Sequence, residues 1–123
     1  MNDIRDKLKN KSYRFALRII GLYKFLCDEK KEYVLSKQIL RSGTSIGANI
    51  EEANAGQTKK DFLAKMSIAS KEARETLYWL KLLRDSDYIE GKIAKSLIND
   101  IEELVRILTS IVKTTQKSIN IKH

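Results

Sequence analysis

Apolar residues in this chain recur at three- and four-residue intervals in four separate runs, and no proline interrupts any of them. That period lines one face of an α-helix, whereas a strand would alternate every second residue. The spacing predicts helices over about 12–27, 33–54, 58–86 and 92–116. The first carries Phe15, Ile19, Leu22 and Leu26 on its inner face, widened by Ala16, Ile20 and Tyr23. The third carries Phe62, Met66, Ala69, Ala73, Leu77 and Leu80. The fourth carries Leu97, Ile101, Leu104, Leu108 and Ile111, with Ile98, Val105 and Val112 beside them. Short connections make sequential helices antiparallel, so the expected fold is all-α, an antiparallel up-down-up-down four-helix bundle. The 123 residues suit one domain, 1–123, with a core that needs no cross-link. Cys27 stands alone and reads as a reduced packing residue. Thr58 with Asp61 three residues later resembles a capping box at the start of the third helix. Residues beyond about Gln116 are expected to fray.

The second run, QILRSGTSIGANIEEANAG, continues through Gly43 and Gly47. Each glycine costs a helix interior about 1 kcal/mol relative to alanine, so close approach by another backbone is the expected reason for both. Leu35, Ile39, Ile46, Ile50 and Ala53 form one stripe; Gln38, Arg41, Ser45, Asn49 and Glu52 form a second, polar stripe beside it. Folding the second helix back on the third sets Ser45 level with Ser70, Asn49 near Met66 and Ser67, and Arg41 near Arg74 and Glu75. The glycines and the small residues of the third helix are expected to share that seam. Arg41 lies deep enough in the pattern to need an anionic partner, Glu72 or Glu75; the competing reading puts Arg41, Asn49 and Glu52 in a subunit interface. Trp79, beside Tyr78 in LYWLKLL, is either a wide core contact or an interface residue.

The run QILRSGTSIGANIEEA, with FALRIIGLYKFL before it and KEARETLYWLKLL after it, resembles the bacterial four-helix bundle proteins encoded in intervening sequences of 23S rRNA genes. The resemblance extends from about Tyr13 to Lys117 and centres on Gln38, Arg41, Ser45, Ile46, Asn49, Ile50 and Glu52. Many members carry proline where Gly47 stands and glycine where Ala53 stands. A related branch serves as the accessory protein of diversity-generating retroelements. What the resemblance implies is a bundle that assembles as a homopentamer, with a reverse transcriptase as a partner class.

Catalytic groups are scarce. The one histidine, His123, is the last residue, which removes the commonest general base and most metal sites. The Glu-x-x-His pairs of di-iron bundles cannot be built, nor the arginine–histidine pair of helical HEPN ribonucleases. There is no Walker loop and no serine–histidine–acid set. Adjacent carboxylates such as Glu51/Glu52 and Asp100/Glu102/Glu103 diverge around their helices and read as solvated faces or ion-pair partners. No enzyme, cofactor or metal is expected. No segment approaches a membrane span, so a cytoplasmic protein with no membrane partner is expected.

The charge is the strongest functional feature: 24 basic against 16 acidic residues, a net +8. In an up-down-up-down bundle the start of the first helix, the second turn and the end of the fourth helix share one end. Arg5, Lys7, Lys9, Lys11, Arg14, Lys59, Lys60, Lys113, Lys117 and Lys122 collect there against Asp3, Asp6 and Asp61. Such a patch attracts phosphate backbones through counterion release without reading bases. The expected function is therefore a non-enzymatic homo-oligomeric bundle that binds RNA or DNA by its basic end, or docks on a nucleic-acid enzyme. The alternative is a protein-interaction scaffold with no nucleic-acid role.

Overall fold

The structure, a computed structural model, describes residues 2–121; Lys122 and His123 lie outside the described residues. It has four helices and, among the described residues, no strand: α1 (Asn2–Asp28), α2 (Leu35–Asn54), α3 (Lys59–Asp85) and α4 (Gly91–Ile121). Cross-helix pairs fix the directions. Lys9 meets Glu51, Arg41 meets Glu72, Arg74 meets Thr109, and Arg18 meets Asp100, so each helix runs antiparallel to both neighbours. α1 lies beside α2 and α4, and α3 beside the same two, which closes an up-down-up-down four-helix bundle. Its core is the set read from the periodicity: Phe15, Ile19, Leu26, Ile39, Ile46, Ile50, Met66, Ala69, Ala73, Leu80, Ile101 and Leu108 are all essentially inaccessible.

Two helices are longer than the spacing predicts. α1 begins at Asn2 rather than near residue 12, because Leu8 continues the inner stripe into the charged segment and is fully buried. The buried Ser12 hides the continuity, being a polar residue at a core position; its hydroxyl donates to the Lys9 carbonyl (3.0 Å) and so needs no water. α4 continues to Ile121 rather than fraying near Gln116. Ile119 is nine-tenths buried, and Lys59 Nζ donates to Ser118 Oγ (2.7 Å), tying the last turns of α4 to the start of α3.

The helix ends follow local chemistry. The Thr58 hydroxyl accepts from the Asp61 amide (3.0 Å), the expected cap of α3. Val34, at the N-cap of α2, cannot cap; Glu32 Oε1 instead accepts from the Ser36 amide (2.8 Å). Lys31 and Asp87 turn the first and third connections in the left-handed region, at φ 53° and 64°.

The glycines of α2 serve a different seam from the one expected. A Cβ on Gly43 would lie 2.9 Å from both Cγ atoms of Ile19, and one on Gly47 would meet Ser12 Oγ at 3.5 Å. Both residues therefore face α1, not α3. The wheel groups them with the small residues of α2 but does not say which neighbour lies on that side. The α2–α3 seam is closed instead by the buried Ser42 and Thr76, whose hydroxyls are 2.9 Å apart, while Thr76 donates to the Glu72 carbonyl (2.8 Å).

Candidate nucleic-acid interface

The polar stripe of α2 lies along α3, in the register the fold-back predicts. Arg41 Nη1 donates to Glu72 Oε2 (2.9 Å), its Nη2 donates to Glu75 Oε2, and the indole Nε1 of Trp79 donates to the same Glu75 oxygen (2.9 Å). Lys65 pairs with Glu52 at 2.9 Å further along. Arg41 is not deeply buried, as its place in the pattern had suggested: its side chain is 49% exposed. It stands at the edge of the seam against the more buried Glu72 and Glu75, and each ion pair contributes on the order of 1 kcal/mol or less. Ser45 and Asn49 turn inward on their own helix, donating to the carbonyls of Arg41 (2.6 Å) and Ser45 (2.8 Å). Gln38 is exposed. The structure thus brings together Arg41, Glu72, Glu75 and Trp79. Trp79 is half-buried against the core, and Tyr78 stands outside it, 57% exposed, with the rings edge to face at 5.3 Å.

The topology gathers the start of α1, the α2–α3 turn and the end of α4 at one end, but the cations there differ in their surroundings. Lys9 pairs with Glu51 (3.6 Å), and Lys11 with Glu103 (2.9 Å). The Lys11 ammonium holds the Glu103 carboxyl below the usual glutamate range. Arg14 shares a small cleft with Asp100 and Glu103. Arg5 covers the Phe62 ring, its guanidinium carbon 4.5 Å from the centroid. Lys7 and Lys60 are exposed, and Lys59 bonds Ser118. Carboxylates therefore partner Lys9, Lys11 and Arg18 of α1.

Along α3 and α4 the arrangement is different. Lys113 and Lys117 line a surface cleft of about 360 Å³ with Ser70, Arg74, Thr109, Val112 and Gln116. None of these seven is acidic. Arg74 Nη2 donates to the Thr109 hydroxyl (2.9 Å), a neutral partner. The carboxylates Glu72 and Glu75 of α3 turn to Arg41 on α2, and Asp100 and Glu103 of α4 turn to α1. Charge is therefore sorted across the bundle as well as along it. Ser70 and Arg74, which the fold-back sets on the α2–α3 seam, instead line this cleft with α4, and Thr109 and Gln116 are not singled out by sequence reasoning that weighs only the helix ends. The available signal was the run Lys60, Ser67, Lys71, Arg74, Tyr78, spaced seven, four, three and four with no acid in it.

Residues 6–110 match the family described as 23S rRNA-intervening sequence protein. The chain belongs to that family. A crystal structure of a protein of unknown function from the S23 ribosomal protein family of Bacteroides thetaiotaomicron is 54% identical; the likeness covers 89% of this chain and 98% of that one, with a TM-score of 0.87. No curated protein matches the chain significantly. Among the described residues no helix is long and apolar enough to cross a membrane, and no group of three or more His, Cys, Asp or Glu could hold a metal ion.

Proposed function

We propose that this protein is a non-enzymatic, self-associating helical bundle that binds RNA or DNA backbones through its basic surface, without reading bases. The observation that carries the reading is a set of exposed cations on α3 and α4, Lys60, Lys71, Arg74, Lys113 and Lys117, with no carboxylate partner among the described residues. A cation already held by a carboxylate releases few counterions from a phosphate, whereas an unpartnered one contributes its full share. Affinity for unrelated sequences should then be similar and should fall steeply with salt. A titration of duplex and single-stranded nucleic acid at several salt concentrations tests this; absence of binding at low salt would refute it.

A second reading, docking on a protein such as a nucleic-acid enzyme, is favoured by the outward face of α1. Tyr13, Leu17 and Phe25 are exposed there at multiples of four residues, with Gly21 between them. Phe25 and Ile93 border an apolar groove of about 380 Å³ between α1 and α4. Such a face suits a helix from another subunit or partner. The homopentamer expected from the resemblance belongs to the proposal, and light-scattering mass at micromolar concentration tests it; a monomer would remove Trp79 and Asn49 from consideration as interface residues.

A further inference from the structure

We infer that the cleft between α3 and α4 seats the phosphodiester backbone of a single strand, with Arg74, Lys113 and Lys117 on its phosphates and Tyr78 placed to stack a base. This rests on the nucleic-acid reading above and gives it a location and a strand class. Arg74 has five N–H donors, and the structure commits one of them, to Thr109 Oγ1 at 2.9 Å. A neutral hydroxyl fixes the guanidinium without cancelling its charge, so the fork stays available to a phosphate. Opposite it, Lys113 and Lys117 are four residues apart on one side of α4. That is a rise of about 6 Å, the scale of one nucleotide step in an extended strand.

The exposed ring selects the strand class. In a duplex each base face is already stacked on its neighbours, whereas a single strand can offer a base to Tyr78. The α3–α4 cleft is shallow and open, lined by Val112 beside Arg74, Lys113 and Lys117, and takes a single backbone laid along it. Tyr78 lies one turn beyond Arg74 on α3, 57% exposed, its ring braced edge to face against Trp79. A rigid exposed ring beside a cationic track is the arrangement that stacks bases without sequence preference.

The test is fluorescence anisotropy with a labelled oligouridylate, the matching oligothymidylate and a mixed-sequence duplex, with tripolyphosphate as competitor. Both single strands should bind more tightly than the duplex. Changing Arg74, Lys113 and Lys117 together to glutamine should weaken single-strand binding at least ~tenfold and flatten the log-log salt slope by about 2, at about 0.7 per phosphate lost. Tyr78→Ala should weaken it about fivefold or more with the slope unchanged, which separates stacking from charge. Removing the same charge elsewhere, by Lys24→Gln, Lys30→Gln and Lys37→Gln, should change affinity by less than about twofold, and circular dichroism should show all variants folded. Equal loss from both triple variants, a preference for duplex, or tripolyphosphate competing as well as the strands would overturn the assignment. If the unmodified protein binds nucleic acid and the cleft variant binds equally well, the cleft assignment alone fails; if the unmodified protein binds none, the nucleic-acid reading fails with it.

Discussion

The two sides of this bundle use similar residues to opposite ends. Between α1 and α2, Gly43 takes the Ile19 side chain against its backbone, and the flanking cations are held by carboxylates, Lys9 by Glu51 and, towards α4, Lys11 by Glu103. On the α3–α4 side the helices pack through their core residues but leave a cleft at the rim, where Arg74 meets the Thr109 hydroxyl and no acid is among the lining residues. A lysine at the end of a helix is thus not a functional unit by itself. Whether it can meet a phosphate depends on which helix lies beside it and what that helix presents.

The largest effect should come from the part of α1 that its charged sequence disguises. Leu8→Ala removes a fully buried side chain and should cost about 2–5 kcal/mol. Urea unfolding measures it. A loss under about 1 kcal/mol would mean that the first turns of α1 do not belong to the core.

The glycines sharpen the comparison at the next scale. At Gly43 a methyl group would overlap the buried Ile19, so Gly43→Ala should cost about 1–2 kcal/mol even after its gain in helix propensity. At Gly47 the new contact with Ser12 is an ordinary one, and Gly47→Ala should stabilise by up to ~1 kcal/mol. Thermal melts of the two variants should move in opposite directions. Movement in the same direction would mean that the α1–α2 seam is uniformly tight or uniformly loose.

Charge release tries to break the contrast outright. Glu51→Gln with Glu103→Gln frees Lys9 and Lys11; with the ligand on the α3–α4 side the single-strand salt slope should stay unchanged, and a slope steeper by up to about 1.4, at about 0.7 for each of two added phosphate contacts, would show α1 taking part. Either result locates the ligand.

The smallest effect is a pH dependence. The folded Glu103 carboxyl lies below its ordinary value, chiefly through the hydrogen bond with Lys11. Its stabilisation is therefore complete above the ordinary glutamate value and is lost as pH falls through the lower, folded one. The pair is about one-third exposed, so the loss should be no more than about 0.5 kcal/mol. Unfolding curves of the native protein and Lys11→Gln should converge in acid; curves that stay parallel would assign the shift to another group.

The fold was legible because it depends on where apolar residues recur. Phe15 to Leu26, Ile39 to Ala53, Phe62 to Leu80 and Leu97 to Leu108 carry their helical faces in the sequence, and any compact arrangement must bury them. The pairing of Arg41 with Glu72 and Glu75 was within reach too, since antiparallel neighbours and short turns fix the register of α2 on α3. The start of α1 was missed although Ile4 and Leu8 extend its stripe, because Ser12 interrupts it and charge surrounds it. Three facts needed the tertiary structure: that Gly43 faces α1, that Lys11 stands against Glu103, and that Arg74 meets a threonine. Periodicity states how a helix divides into faces. Which neighbour covers each face, and what charge that neighbour carries, is decided only when residues 82 positions apart, such as Arg18 and Asp100, come within 2.6 Å.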